Sequence, residues 1–326
     1  MTRMMLMVSV VVLGLVILAW FWTTQPTGGG TAVGVETPPA DARQMERDVR
    51  MLSRTFAPRD VDHIENLDRA AQYVFERMRA EVGDASEQSF EAAGATVRNI
   101  IASAGARTAE RVVVGAHYDA FGPFPGADDN ASGIAGLLQL GRMMRQRPPP
   151  MRVDLVAYTT EEPPFFRTEQ MGSAQHADLL KRENASVRAM ICLEMIGYFS
   201  DLPQSQHFPL GLLGMLYPHQ GNFIAVVGSL GGGALVRQIK GAMRSAGGVP
   251  VYSINAPVWI VGIDLSDHQS YWARGYPAVM VTDTAFFRNP HYHTALDTPE
   301  RLDYGRMAQV VEGVYRAVFR LASPLR

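Results

Sequence analysis

The chain has 326 residues, 47% hydrophobic and 19% charged, with 30 basic residues against 32 acidic ones and a formal net charge of −2. So apolar a chain with so little net charge is not disordered, and its balanced charge argues against nucleic acid as a partner. The single cysteine, Cys192, excludes an internal disulfide and any metal site built from several thiolates, which leaves His, Asp and Glu as candidate ligands.

From Met4 to Trp22 the chain reads MMLMVSVVVLGLVILAWFW, and no charge appears between Arg3 and Glu36. At about 1.5 Å per helical residue this run nearly crosses a hydrocarbon core of about 30 Å. Trp20, Phe21 and Trp22 close it as an aromatic belt would, which favours an uncleaved membrane anchor over residues 1–22; a cleaved signal peptide is the competing reading. Arg3 biases the orientation, with the N-terminus inside and the rest of the chain on the non-cytoplasmic side, periplasmic or extracellular. Residues 23–40, rich in Gly, Thr and Pro, read as a flexible linker, and residues 41–326 as one globular domain.

Two helical patterns open that domain, at 41–55 and 64–82. Apolar, β-branched runs follow at 111–118, 151–160, 187–196, 223–229 and 277–283, and helical patterns at 132–146, 234–246 and 306–322. Strands buried on both faces and alternating with helices indicate an α/β fold, with a mixed, mostly parallel central sheet and helices on both faces.

Polar residues cluster where the strands end. His117 and Asp119 follow VVVGA, Glu161 and Glu162 follow LVAYTT, Glu194 ends AMICL, and Asp283 follows PAVMVT a few residues before His291 and His293. In open α/β sheets functional groups gather at the carboxyl ends of strands. One acid there is ordinarily a helix cap or a solvated group. Several at one edge would repel one another unless a cation sat among them, and carboxylates with imidazoles suit zinc. No H-E-x-x-H helix and no G-x-S-x-G elbow is present, and the glycines at 228–233 match neither phosphate-binding pattern.

The runs VGAHYD (His117, Asp119), PGADDNASG (Asp129), Glu161–Glu162, LEM (Glu194) and NPHYHTALDT (His293) resemble, in order, the co-catalytic di-zinc aminopeptidases, the family of bacterial leucyl aminopeptidases, glutamate carboxypeptidase and glutaminyl cyclases. The resemblance covers about residues 85–320 and implies a zinc-exopeptidase-like fold holding two Zn2+ ions. It implies His117 and Glu194 on one ion, Glu162 and His293 on the other, and Asp129, not Asp128, bridging both. Asp119 would orient His117, Glu161 would be the general base, and the Asp129–Asn130 peptide would be cis. Asp267 and His268 are candidate substrate-binding residues. The family often has Asp where Glu194 stands, and its tyrosine before the S-D-H segment is missing from IDLSDH here.

The expected activity is a metallo-aminopeptidase reaction on peptides with a free N-terminus, with Glu161 moving the proton from an activated water to the leaving amine. Glutaminyl cyclisation on the same scaffold and a non-catalytic receptor ectodomain are the alternatives. Segments 163–172 and 199–222 are expected to shape the substrate pocket, the second as a lid.

Overall fold

The computed structural model describes residues 2–26 and 34–323. Helix α1 (Thr2–Thr24) is the apolar N-terminal run, and it is long and apolar enough to cross a membrane. Its side chains from Val8 to Leu18 are exposed, whereas Thr24 and Gln25 at its end are buried against the domain. The linker expected over 23–40 is thus held at both flanks. Gln25 accepts from Arg237, and Ala40 N donates to Glu312; residues 27–33 lie outside the described residues.

In the domain, α2 (Ala42–Arg50) is capped by Asp41, which accepts from Gln44 N, and its chain continues through a wider turn to Thr55. Then come α3 (Ile64–Val82), β1 (Ala85–Ala92), β2 (Ala95–Ala104), β3 (Glu110–His117), α4 (Gly133–Gln146) and β4 (Arg152–Tyr158). They are followed by α5 (Gly172–Arg182), β5 (Ser186–Glu194), β6 (Ile224–Ser229), α6 (Gly233–Arg244), β7 (Val251–Ala256), α7 (His268–Ala273), β8 (Ala278–Thr282) and α8 (Tyr304–Ala322).

The eight strands form one sheet in the order β1-β2-β4-β3-β5-β8-β6-β7. The four central strands, β4, β3, β5 and β8, run parallel, whereas β1, β2 and β6 join by antiparallel pairing. Alternate residues of the central strands feed two separate cores. Val112, Val114, Leu155, Ile191 and Leu193 meet the face covered by α2, α3, α4 and α8, while Val113, Val156, Met190 and Cys192 meet the face covered by α5 and α7. Both sides being buried, these strands read as continuous apolar runs. Parallel pairing also aligns their carboxyl ends: His117 sits opposite Tyr158, and Glu194 opposite Thr282.

Candidate functional site

The strand ends place His117, Glu161, Glu162 and Glu194 along one edge, and two further segments reach over them. Asp129 comes from the turn before α4, and His293 from the connection between β8 and α8. His117 Nε2 lies 3.4 Å from Asp129 Oδ1 and 3.4 Å from Glu194 Oε2. His293 Nε2 lies 3.0 Å from Asp129 Oδ2 and 3.2 Å from Glu162 Oε2. Asp129 therefore offers one oxygen to each imidazole.

Asp119 Oδ1 is 3.4 Å from His117 Nδ1, and its Oδ2 accepts from Glu162 N at 3.1 Å. Glu161 Oε2 is 3.9 Å from His117 Nε2. Ligand atoms of His117, Asp129 and Glu194 lie within 4.8 Å of one another; so do those of Asp129, Glu162 and His293, and those of His117, Glu161 and Glu162.

Asp128 faces elsewhere. Its carboxylate accepts from Gly197 N at 3.0 Å and from Asn289 Nδ2 at 2.8 Å, so its oxygens serve the chain itself. The turn carrying the two acids is fixed from several directions, and its Asp129–Asn130 peptide is cis. Asp297 accepts from Asp128 N at 2.9 Å and Asp129 N at 3.1 Å. The fully buried guanidinium of Arg59 donates to the carbonyls of Tyr118, Pro125 and Gly126. Gly126 has φ +56°, and a Cβ there would stand 2.2 Å from Asp129 O, so only glycine fits. Asn130 Nδ2 donates to Leu193 O at 2.8 Å, while its Oδ1 accepts from Met195 N at 3.1 Å, tying the turn to the end of β5.

Three residues at the site hold left-handed backbone without being glycine: Thr160 before the glutamate pair (φ +53°), Met195 after Glu194 (φ +48°) and His293 itself (φ +53°). Such strain, of order 1–3 kcal/mol each, persists where surrounding contacts over-determine it. The His293 ring is held between Phe121 and Tyr292, with centroids at 4.0 Å and 3.8 Å. Ser266 Oγ donates to Glu194 Oε2 at 2.6 Å. Arg59, Asn130, Ser266, Tyr292 and Asp297 were not among the sequence candidates. Asp297 falls within the NPHYHTALDT run, but nothing in the sequence tells that its carboxylate serves two backbone amides.

The remaining residues named from the sequence lie around these clusters. Asp283, which also ends a strand, accepts from Tyr198 N and Ala285 N and stays out of the His–acid clusters. His291 is likewise outside them and meets Tyr198 edge-on. Asp267 and His268 are buried at the start of α7, which turns them inward: His268 Nε2 donates to Ile263 O at 2.7 Å, and its ring packs on Trp272. Neither lines the apolar pocket that adjoins Glu194. Segment 199–222 supplies Phe208, Leu213 and Tyr217 to that pocket, whereas segment 163–172 supplies nothing.

The atoms present fit a bound cation. His117 Nε2, Glu162 Oε1 and His293 Nε2 are buried and lack a hydrogen-bond partner of suitable geometry. A buried polar group left that way costs about 1–3 kcal/mol, and a cation among these nitrogens and carboxylates offsets it. With the protein's own charges alone, burial pushes Glu161 well above the usual carboxylate range against the pull of His117. Burial and the neighbouring Asp129 raise Glu162 to about 8. Burial disfavours the charge on His293, but Asp129 and Glu162 outweigh it and raise the imidazole to about 10. Asp129 meets the same burial, yet the flanking imidazoles hold it below the ordinary range. Nitrogen and oxygen donors without a thiolate suit zinc.

A mixed α/β sheet with buried imidazoles and carboxylates at the carboxyl ends of its parallel strands forms groups that could hold a metal ion. Residues 99–318 match Peptidase family M28, and the chain belongs to that family. It is 46% identical over 288 residues to "Uncharacterized protein YfbL" of Escherichia coli (strain K12), covering 86% of this chain and 88% of that one. It is 27% identical over 235 residues to leucine aminopeptidase 1 of Blastomyces gilchristii (strain SLH14081), covering 69% of this chain and 56% of that one, so the match spans little more than half of that relative. The structure of Fimbriiglobus ruber glutaminyl cyclase superposes with a TM-score of 0.67 at 20% identity, covering 90% of this chain and 99% of that one. That likeness is one of fold.

Proposed function

We propose that this protein is a membrane-anchored di-zinc aminopeptidase whose catalytic domain lies on the non-cytoplasmic side. The observation that carries the reading is Asp129, whose two oxygens face the two imidazoles separately. His117 and Glu194 would hold one zinc, Glu162 and His293 the other, with Asp129 common to both. Zinc bound there supplies a water acidified toward neutral pH and Lewis-acid polarisation of the scissile carbonyl.

The chain's own residues do the rest. Asp119 sits on the far nitrogen of His117 and fixes the tautomer that leaves Nε2 free as a ligand. Glu161, buried beside His117, accepts the proton from water and passes it to the departing amine. The amide C–N bond breaks, and an amino acid and a shortened peptide leave. The pocket beside Glu194, lined by residues such as Phe208, Ile263 and Met280, takes an apolar N-terminal side chain. The name of the Blastomyces relative agrees with this chemistry.

Zinc-loaded full-length protein given peptides with free, acetylated and glutaminyl N-termini tests the reading. It predicts release of the first amino acid from free N-termini alone. Ammonia release from the glutaminyl peptide, with no amino acid freed, would make the protein a cyclase. No product from any peptide with zinc bound would make it a non-catalytic ectodomain.

A further inference from the structure

Two segments that wall the pocket also carry exposed apolar side chains. The segment 208–218 (FPLGLLGMLYP) and the loop 256–263 (APVWIVGI) contain no charged residue. Their inner side chains, among them Leu213, Tyr217, Ile260 and Ile263, line the pocket together. Their outer ones stand in the open: Leu212 is 67% exposed, Met215 81% and Trp259 74%. Scattered surface leucines are ordinary, but large exposed apolar side chains on two uncharged segments that share one pocket mark a surface that is covered in use.

The same face adjoins the end of α1. Lys240 Nζ and Ser253 Oγ each donate to Thr24 O at 2.8 Å, and Tyr217 Oη donates to Ser253 O at 2.6 Å. Two hydrogen bonds through Ser253 thus link the last turn of α1 to the segment that walls the pocket. A groove lined by Trp20 and Thr24 of α1 is also lined by Leu216 and Tyr217. The last turn of α1 thus packs against this side of the domain.

We propose that segments 208–218 and 256–263 lie in the interface of the bilayer that α1 enters, so that the pocket opens at the lipid surface and receives the N-termini of membrane-bound peptides. The inference rests on α1 being a membrane helix. Uncharged, partly aromatic segments with small glycine-bearing turns partition into the headgroup–acyl boundary when an anchor holds them there. The bilayer then raises the local concentration of any peptide confined to it.

The test uses the full-length chain in lipid nanodiscs holding one copy each, with a nitroxide on a cysteine introduced by Met215→Cys or Trp259→Cys. Glu65→Cys serves as the control, because α3 packs beside β1 and β2 at the opposite edge of the sheet; Cys192 is buried. Labels at 215 and 259 should collide with membrane-dissolved oxygen and be shielded from a water-soluble nickel chelate, and the label at 65 should show the reverse. The double variant Met215→Glu, Trp259→Glu should cleave a short soluble peptide at the unaltered rate. It should cleave the same peptide, anchored in the disc by a C-terminal acyl chain, about tenfold more slowly or worse. Labels fully open to the chelate while α1 stays in the disc would overturn the inference and leave the anchor standing. Failure of the chain to stay in the disc would instead overturn the anchor reading. Shielding that appears only with two copies per disc assigns the face to a second copy, and equal loss on both peptides assigns the two residues to the pocket; either result overturns the proposal.

Discussion

The carboxyl edge of the sheet and the N-terminal helix break the usual sorting of side chains in opposite directions. At the edge, His117, Asp129, Glu161, Glu162 and Glu194 are polar and buried, several of their atoms without a partner. Along α1, residues such as Leu13, Val16 and Ile17 are apolar and more than half exposed. Folded proteins rarely keep either arrangement unaided. The first arrangement fits a cation among its ligands, and the second fits an apolar run long enough to cross a membrane or to serve as a signal sequence. The two also differ in how firmly the chain holds them. Arg59, Asn130 and Asp297 clamp the edge from three sides, whereas α1 meets the domain through its last turn.

The largest effect comes from separating the two neighbouring glutamates. Glu161→Gln should lower the maximal rate by about 10²–10⁴-fold, with zinc content unchanged and KM little altered. Near-normal activity at full metal content would remove Glu161 from the mechanism. Glu162→Gln should instead weaken zinc retention by roughly 10–100-fold or more, as altered metal surroundings do, and added zinc should restore part of the activity. If occupancy falls in the first variant and holds in the second, the two roles are exchanged.

The other region is probed by placing a charge in the apolar helix. Leu13→Arg puts a cation near the middle of the run, where insertion loses about 2.5–3.5 kcal/mol. The protein should move from the carbonate-resistant membrane fraction into the soluble one, with its activity toward short peptides kept. An unchanged membrane fraction would point away from α1 as the attachment.

A smaller effect sharpens the metal side. At pH 7 the medium lies below the values of about 8 for Glu162 and about 10 for His293, so with the protein's own charges alone both groups hold a proton. Zinc must displace those protons, so its binding releases them and its affinity rises with pH, by about tenfold per unit for each proton displaced. Calorimetric titration of zinc in two buffers of different ionisation enthalpy measures the number released. No release at pH 7 would contradict the raised values.

Much of this was open to sequence reasoning, for physical reasons that differ by region. Strands β3, β4, β5 and β8 are buried on both faces, so their apolar runs are continuous and the acids that end them stand out. Strands β1 and β2 form a hairpin at the sheet's edge, where residues such as Glu87 and Glu91 face solvent and dilute the pattern. Helix α5 buries Gly172, Ser173, Ala174 and Ala177, so its inner face carries few large apolar residues to mark it. At the site, the ligand types and their strand-end positions are legible. The supports are not: Arg59 and Asp297 act on backbone atoms, and Ser266 reaches Glu194 across 72 residues of chain. The docked end of α1 is hidden for the same reason, because Gln25 and Arg237 meet only in the folded protein.

The central claim is that Asp129 joins two metal ions. Crystals of the zinc-loaded protein, measured at the zinc absorption edge, test it most directly. Two anomalous peaks should appear, one beside His117 and Glu194 and one beside Glu162 and His293, with the Asp129 carboxylate between them. A single peak at full occupancy, or an Asp129 side chain turned away from both, would contradict it.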